Sequence, residues 1–386
     1  MAESNSAEKI NTQQLPYSDS LEIGYLCRLF DNTSECYKFF WFQAILTKIT
    51  EGKTSVTFEE LVDEMIADAW YMVSEYHLNL GPKDNLEMVV HHIHKITGMK
   101  PSEKKGNILS YLSNCGDKEV LRLKKVLIAN VPYRLQAPFM PDFKGKDFDM
   151  RLEERLMKIN AQRRLMYYFE RVNGKYHNGL NTVISIDPDW VWYIQKNLEI
   201  IKGWLQYNMI TYLQKRNPSV PGISDKLYPP QERKLEKVKK YWKLIMKLQP
   251  IYEIYGHNPL SENEISIDHF VPWSYVAHDE LWNLHPTTRN INSSKSNHLP
   301  DWDTYFPLLS KQEYVSYQMM WKSQAVHKEF QQCAREHINN PDVLGRLYRP
   351  GLSEQEFQGQ LSEILLPVYQ SAKNCGFGSW VYENQG

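Results

Sequence analysis

A chain of 386 residues is long enough for two or three domains and a sizeable core. Its charges nearly cancel, 45 Lys and Arg against 46 Asp and Glu, so no global field draws it to nucleic acid and any electrostatic footprint must be local. No apolar run reaches the length of a membrane span. The polar, mixed-charge start Met1–Lys9 is unlike a secretory signal, and five cysteines, an odd number, fit a reducing compartment, so a cytoplasmic protein without membrane contact is expected.

From about residue 20 to 130 the pattern is helical. Asp31-Asn32-Thr33-Ser34 is a helix-start cluster before Cys36 to Phe42, which is apolar nearly all round and therefore central. Thr57-Phe58-Glu59-Glu60 is a capping box opening a helix over Leu61 to Val73. These two helices suit a helical scaffold or partner-binding domain, with a winged-helix DNA reader as the alternative. Gly52-Lys53-Thr54 is no phosphate loop, because Thr47 stands where the upstream glycine must be. His91-His92-x-His94 is no metal cage, since helical neighbours one apart do not converge.

The proline-rich stretch 131–149 marks a first boundary and Asn217-Pro218 to Pro229-Pro230 a second linker. Between them 147–170 reads as charged helix, and Asp187-Pro188 starts a long helix to about Arg216. Next, 231–247 holds Arg233, Lys234, Lys237, Lys239, Lys240, Lys243 and Lys247 against Glu232 and Glu236, a net charge of +5. Leu235, Val238, Trp242 and Ile245 form its apolar stripe and turn the cations outward. Arg233, Lys234, Lys237, Lys240 and Lys243 are therefore candidate phosphate contacts.

Residues 265–300 carry the chemistry. Ile265 to Phe270 reads as a half-buried strand ended by Pro272, 274–280 as a connecting loop, and Leu281 to His285 as a second strand closed by Pro286. Thr287 and Thr288 start a helix over about 290–298, which puts Asn292 and Lys295 on one face. Asp and Asn oxygens suit Mg²⁺ or Mn²⁺ rather than zinc. Imidazole accepts a proton near neutral pH, and an ammonium counters charge building on phosphorus. Strand neighbours point to opposite sides, so Asp268 and His269 reach one centre only if the strand bends towards Pro272, which is the expected arrangement.

Asp268-His269-x-x-Pro272, Asn283, Asn292-x-x-Lys295 and Leu299-Pro300 together resemble the HNH, or ββα-metal, endonuclease motif over about residues 257–305. The spacing is most similar to that in RNA-guided CRISPR effectors. The resemblance implies that His269 is the general base and that Asp268 and Asn292 ligate one Mg²⁺ (or Mn²⁺), with Asn290 the alternative ligand. It further implies that Asn283 braces the loop, that Lys295 supports the scissile phosphate, and that the products are a 5′-phosphate and a 3′-hydroxyl. No Cys-x-x-Cys pair lies in the block, so no structural zinc is expected. His257, His278, His285 and His298 crowd the same segment and read as surface or packing histidines.

After the block, 309–337 reads as one or two helices, and Ser353-x-x-Glu356 caps another that runs to about Lys373, with Leu352 and Phe357 as its hydrophobic staple. The expected fold is mostly α with a small α+β (ββα-metal) nuclease module. Its regions are 1–145 (helical, scaffold or partner or DNA binding), 146–250 (helical, with the basic helix 231–247), 251–305 (the module) and 306–386 (helical). The expected function is a metal-dependent endonuclease on DNA, in the restriction or phage defence that HNH domains often serve, with a protein partner or regulator on the helical domains. The alternatives are a nucleic-acid-binding adaptor with a structural HNH block and an RNA-cleaving toxin.

Overall fold

The computed structural model describes residues 15–82, 84–143, 145–229 and 235–383. They are mostly α-helical with four small sheets, and contacts divide them into two units. The first unit comprises residues up to Ser74 and Leu78–Asn217; the second comprises Glu75–His77 and Pro218 onward. The division thus falls at 217/218, inside the second proline linker. The stretch 131–149, expected as a boundary, instead buries Val131, Tyr133, Leu135, Phe139 and Met140 in the first unit. Prolines there shape short turns and do not separate domains.

In the first unit the helix Tyr37–Thr50 is buried on nearly every side and packs on Phe58–Ser74. The capping box forms: the Thr57 hydroxyl accepts from Glu60 N at 3.2 Å and the Glu60 carboxylate from Thr57 N at 2.9 Å. A three-stranded antiparallel sheet of Ser55–Thr57, Val183–Ile186 and Tyr167–Phe169 replaces part of the expected helix. Strands of three or four residues are too short for a period of two to register. The hairpin Arg171–Val172 with Lys175–Tyr176 had a visible signal, Asn173-Gly174, both at positive φ as a two-residue turn requires. The helix expected from 188 to 216 breaks at Asn197 into Pro188–Lys196 and Leu198–Arg216. His92 bonds Asp117 and His94 bonds the Met99 carbonyl, so the histidine cluster points apart.

The second unit has one apolar core running from Leu235 to Phe377. The helix Glu236–Leu248 buries Val238, Tyr241, Trp242 and Ile245, which is the expected stripe with one aromatic added. The helices Trp302–Lys322, Gln324–His337, Pro341–Leu347 and Glu354–Asn374 pack into the same core, the last opened by the full Ser353/Glu356 capping box. Leu299–Pro300 pairs in parallel with Ser379–Trp380, so the chain's last strand is tied to the exit of the chemistry-bearing block. That block shares its core with 306–377 and does not stand apart from it.

One brace matters for the site. The segment 219–226 holds the turn after Pro272: Tyr275 donates to the Ser219 carbonyl at 2.7 Å, and the Lys226 ammonium donates to the carbonyls of Pro221 and Tyr275 at 2.7 and 2.6 Å. Burial pushes that ammonium down to about 7. Ala277 ends the turn at φ 56°, and a Cβ on Gly222 would lie 2.7 Å from the Ala277 Cβ. Gly222 itself sits at φ 61°, so an added methyl meets both a backbone penalty and a clash. Gly222→Ala is expected to destabilise the protein by about 1–3 kcal/mol, measured by urea unfolding; an unchanged midpoint would show that the turn is not braced there.

Candidate active site

Three short elements build the site. The strand Ile265–His269 pairs antiparallel with Leu284–Thr288, and the helix Arg289–Lys295 follows directly, with the Thr288 hydroxyl accepting from Ile291 N as its N-cap. The second strand begins three residues later than expected and runs through Pro286, opposite Ile267. Pro286 is tolerated because the hairpin has only two strands, so its missing N–H faces no third one. Leu281–Asn283 is a 3₁₀ turn, and Trp273–Val276 within the expected loop is a single helical turn.

Asp268 is the electrostatic centre, and it is buried. Its Oδ1 accepts from the Lys295 ammonium at 3.1 Å and from His269 N at 2.8 Å. Its Oδ2 accepts from the Tyr255 hydroxyl at 2.9 Å and lies 3.5 Å from His285 Nε2. Burial alone would raise the carboxyl; Lys295, with His285 and His269 behind it, holds it well below the usual carboxylate range. Burial and then Asp268 push the Tyr255 phenol well above its ordinary value, so it remains a donor. Lys295, 0 % exposed, also donates to the His269 carbonyl at 2.7 Å, locking the helix to the strand.

The hairpin stays in regular register through Asp268 opposite His285 and His269 opposite Leu284. The chain bends at Phe270 and Val271, ahead of Pro272 as expected, but the bend follows the Asp268–His269 pair and does not begin within the strand. The two side chains take separate partners: Asp268 meets Lys295, Tyr255 and His285, whereas His269, 3 % exposed, has Nε2 at 2.8 Å from Asp279 Oδ1. Their charges still couple across that short distance.

Asn283 is fully buried and clamps the chain after His269: its Oδ1 accepts from Val271 N at 2.8 Å and its Nδ2 donates to Val271 O at 2.9 Å. Asn292 donates from Nδ2 to Ser266 Oγ and to the Ile267 carbonyl, both at 3.0 Å. Its anchoring uses the nitrogen and directs the oxygen elsewhere. Asn290 is exposed, in a cleft of about 440 Å³ with Lys239, Arg289 and Ser266. His298 Nδ1 donates to the Lys295 carbonyl at 3.0 Å, His257 lines a groove beside Gln312, and burial lowers His278.

A hard cation fits this donor set in kind: one carboxylate on the strand and one carboxamide oxygen on the helix. The Asn292 anchoring is the observation in its favour, since both bonds use the nitrogen and Oδ1 would be the atom offered to a cation. At Asp268 a cation competes with Lys295 and His269 N–H for Oδ1, or with Tyr255 for Oδ2. Among the described residues no group of three His, Cys, Asp or Glu side chains is placed to hold a metal.

On the basic helix, Lys237 pairs with Glu336, Lys240 with Glu329 at 2.7 Å, and Lys239 with Glu236 at 2.8 Å. Arg233 and Lys234 lie outside the described residues. Tyr255 and Asp279 carry no motif signature, whereas His285, expected as a surface or packing histidine, is buried and packs on Tyr255 and Phe270. The only signal for His285 was its alternation with Leu284 opposite the Asp-His pair.

Residues 253–301 match the family model of the HNH endonuclease, which covers the hairpin, the helix and Tyr255. No curated protein and no solved structure matches the chain. The segment thus carries an HNH endonuclease module, and no helix among the described residues is long and apolar enough to cross a membrane.

Two outcomes follow from this geometry. Asn283→Ala leaves the buried Val271 N–H and C=O unpaired and is expected to destabilise by about 2–4 kcal/mol, read from chemical denaturation; a loss under about 0.5 kcal/mol would deny the clamp. Asp268 has a folded value below its unfolded value of about 3.9. The stability it contributes is therefore full above about pH 4 and lost as pH falls towards the folded value. The urea midpoint of wild type should exceed that of Asp268→Asn at pH 6, with the gap closing below pH 4; a gap independent of pH would contradict the ion pair.

Proposed function

We propose that this protein is a divalent-metal-dependent endonuclease that hydrolyses phosphodiester bonds of DNA. The observation that carries the reading is the placement of Asp268, His269, Asn292 and Lys295 on one strand–strand–helix unit within the HNH match. Asp268 and Asn292 Oδ1 would hold Mg²⁺ or Mn²⁺, which when bound neutralises phosphate charge and stabilises the leaving oxygen. His269 takes the proton of the attacking water. Lys295 sits beside Asp268 to offset negative charge gathering at phosphorus. Asn283 keeps the chain beyond His269 from shifting.

The basic helix is the proposed DNA face, through Lys237, Lys240 and Lys243 and, outside the described residues, Arg233 and Lys234. Its pairs to Glu336 and Glu329 have exposed lysines, and phosphate can displace such weak contacts. A defence role, a regulator acting on the helical regions and kinship of spacing with RNA-guided effectors complete the proposal. The adaptor reading has one observation behind it, namely how fully Asp268 and Lys295 are satisfied inside the protein. The RNA-cleaving alternative is addressed by offering RNA and DNA in competition.

Plasmid nicking separates these readings. Metal-dependent nicking that falls at least 10³-fold in His269→Ala is expected, on the order of the loss from removing a catalytic base; DNA binding with no cleavage under Mg²⁺ or Mn²⁺ favours the adaptor. Charge reversal at Lys237 and Lys240 should weaken DNA binding and flatten the slope of log affinity against log salt. An unchanged slope would remove this helix from the interface.

A further inference from the structure

The loop after the single helical turn Trp273–Val276 holds an acid with no assigned role. Asp279 Oδ1 lies 2.8 Å from His269 Nε2. An ionised carboxylate offers only lone pairs, so the proton in this bond belongs to the ring, and neutral His269 is the Nε2–H tautomer with its lone pair on Nδ1. Only 3 % of the His269 side chain and 23 % of that of Asp279 is exposed, so water competes little for the bond.

Asp279 is itself held in place. Its carbonyl accepts from His337 Nδ1 at 2.9 Å, on the helix Gln324–His337. Next to it, the Glu280 carboxylate accepts from Asn339 Nδ2 at 2.8 Å and from Trp282 Nε1 at 3.1 Å. Ala277, on the Gly222 side, sets the direction in which the chain enters the loop. A surface loop with an incidental acid has no need of such anchoring on both flanks. Beside the pair, Asp268 and Lys295 are matched to each other.

The geometry points to Asp279 as a positioning residue: it fixes the tautomer and ring angle of His269 so that Nδ1 takes the proton from the attacking water. This deepens the endonuclease reading and rests on it. As the water oxygen bonds to phosphorus, its proton passes to Nδ1; the bond from phosphorus to the 3′ oxygen breaks, and that oxygen takes a proton from solvent. Asp279 neither gains nor loses a proton. It works as the partners of ligating and catalytic histidines generally do, by holding one ring nitrogen so that the other is presented correctly.

The test uses the full chain with ¹⁵N-labelled histidine, the His269 signal being identified by its loss in His269→Gln. Without DNA or metal, wild type should show the Nε2–H tautomer, and Asp279→Ala a mixture of tautomers. In metal-dependent nicking, Asp279→Ala should lose roughly 10- to 100-fold in kcat with KM within about twofold. Asp279→Glu, which restores an acceptor on a longer stem, should recover part of that loss. An unchanged tautomer and kcat in Asp279→Ala would overturn the proposal, as would a loss of kcat accompanied by an equal fall in thermal stability. If wild type does not nick DNA at all, the endonuclease reading fails, and the tautomer spectrum alone decides the Asp279–His269 pairing.

Discussion

A single buried carboxylate governs the architecture of the block around residues 265–295. An ionised Asp268 with 5 % exposure is unaffordable in a protein interior unless opposite charge and donors meet it. Lys295 supplies the charge, while Tyr255 and the His269 N–H supply the donors. Those partners come from three different places in the chain, so satisfying one acid fixes the helix on the hairpin and the 255 region against both. Breaking such a pair by removing one partner leaves an uncompensated buried charge.

The same interaction gives the two neighbours at the end of the strand separate supports. Asp268 faces Lys295 and His285, whereas His269 bonds Asp279 on the loop. The register is regular through both residues, down to Leu284. Charge compensation and imidazole orientation are therefore handled by separate supports, the helix for one and the loop braced by 219–226 for the other. Asn283 links them by clamping Val271, the point at which the strand gives way to the turn.

Much of this was legible in the sequence because the block has strong local punctuation. Thr288 as a cap, Pro272 as a strand end and the apolar stripe of 235–245 all rest on rules that act within a few residues. The failures arose where the deciding partner is remote. Asp279 and Tyr255 have no periodic or motif signature, and they matter only because folding brings them within 3 Å of His269 and Asp268. Lysines 237 and 240 read as outward cations, since Glu336 and Glu329 lie 99 and 89 residues downstream on another helix. The proline stretch 131–149 misled for the opposite reason: its turn residues are real, but the apolar residues between them are buried in the first unit.

The most direct measurement is anomalous diffraction from crystals of the full chain soaked in Mn²⁺. The account predicts one manganese peak bonded to the Asp268 carboxylate and Asn292 Oδ1, with the Lys295 ammonium drawn away from Asp268 Oδ1. Crystals that keep the Lys295–Asp268 bond intact and show no manganese between Asp268 and Asn292 would contradict it.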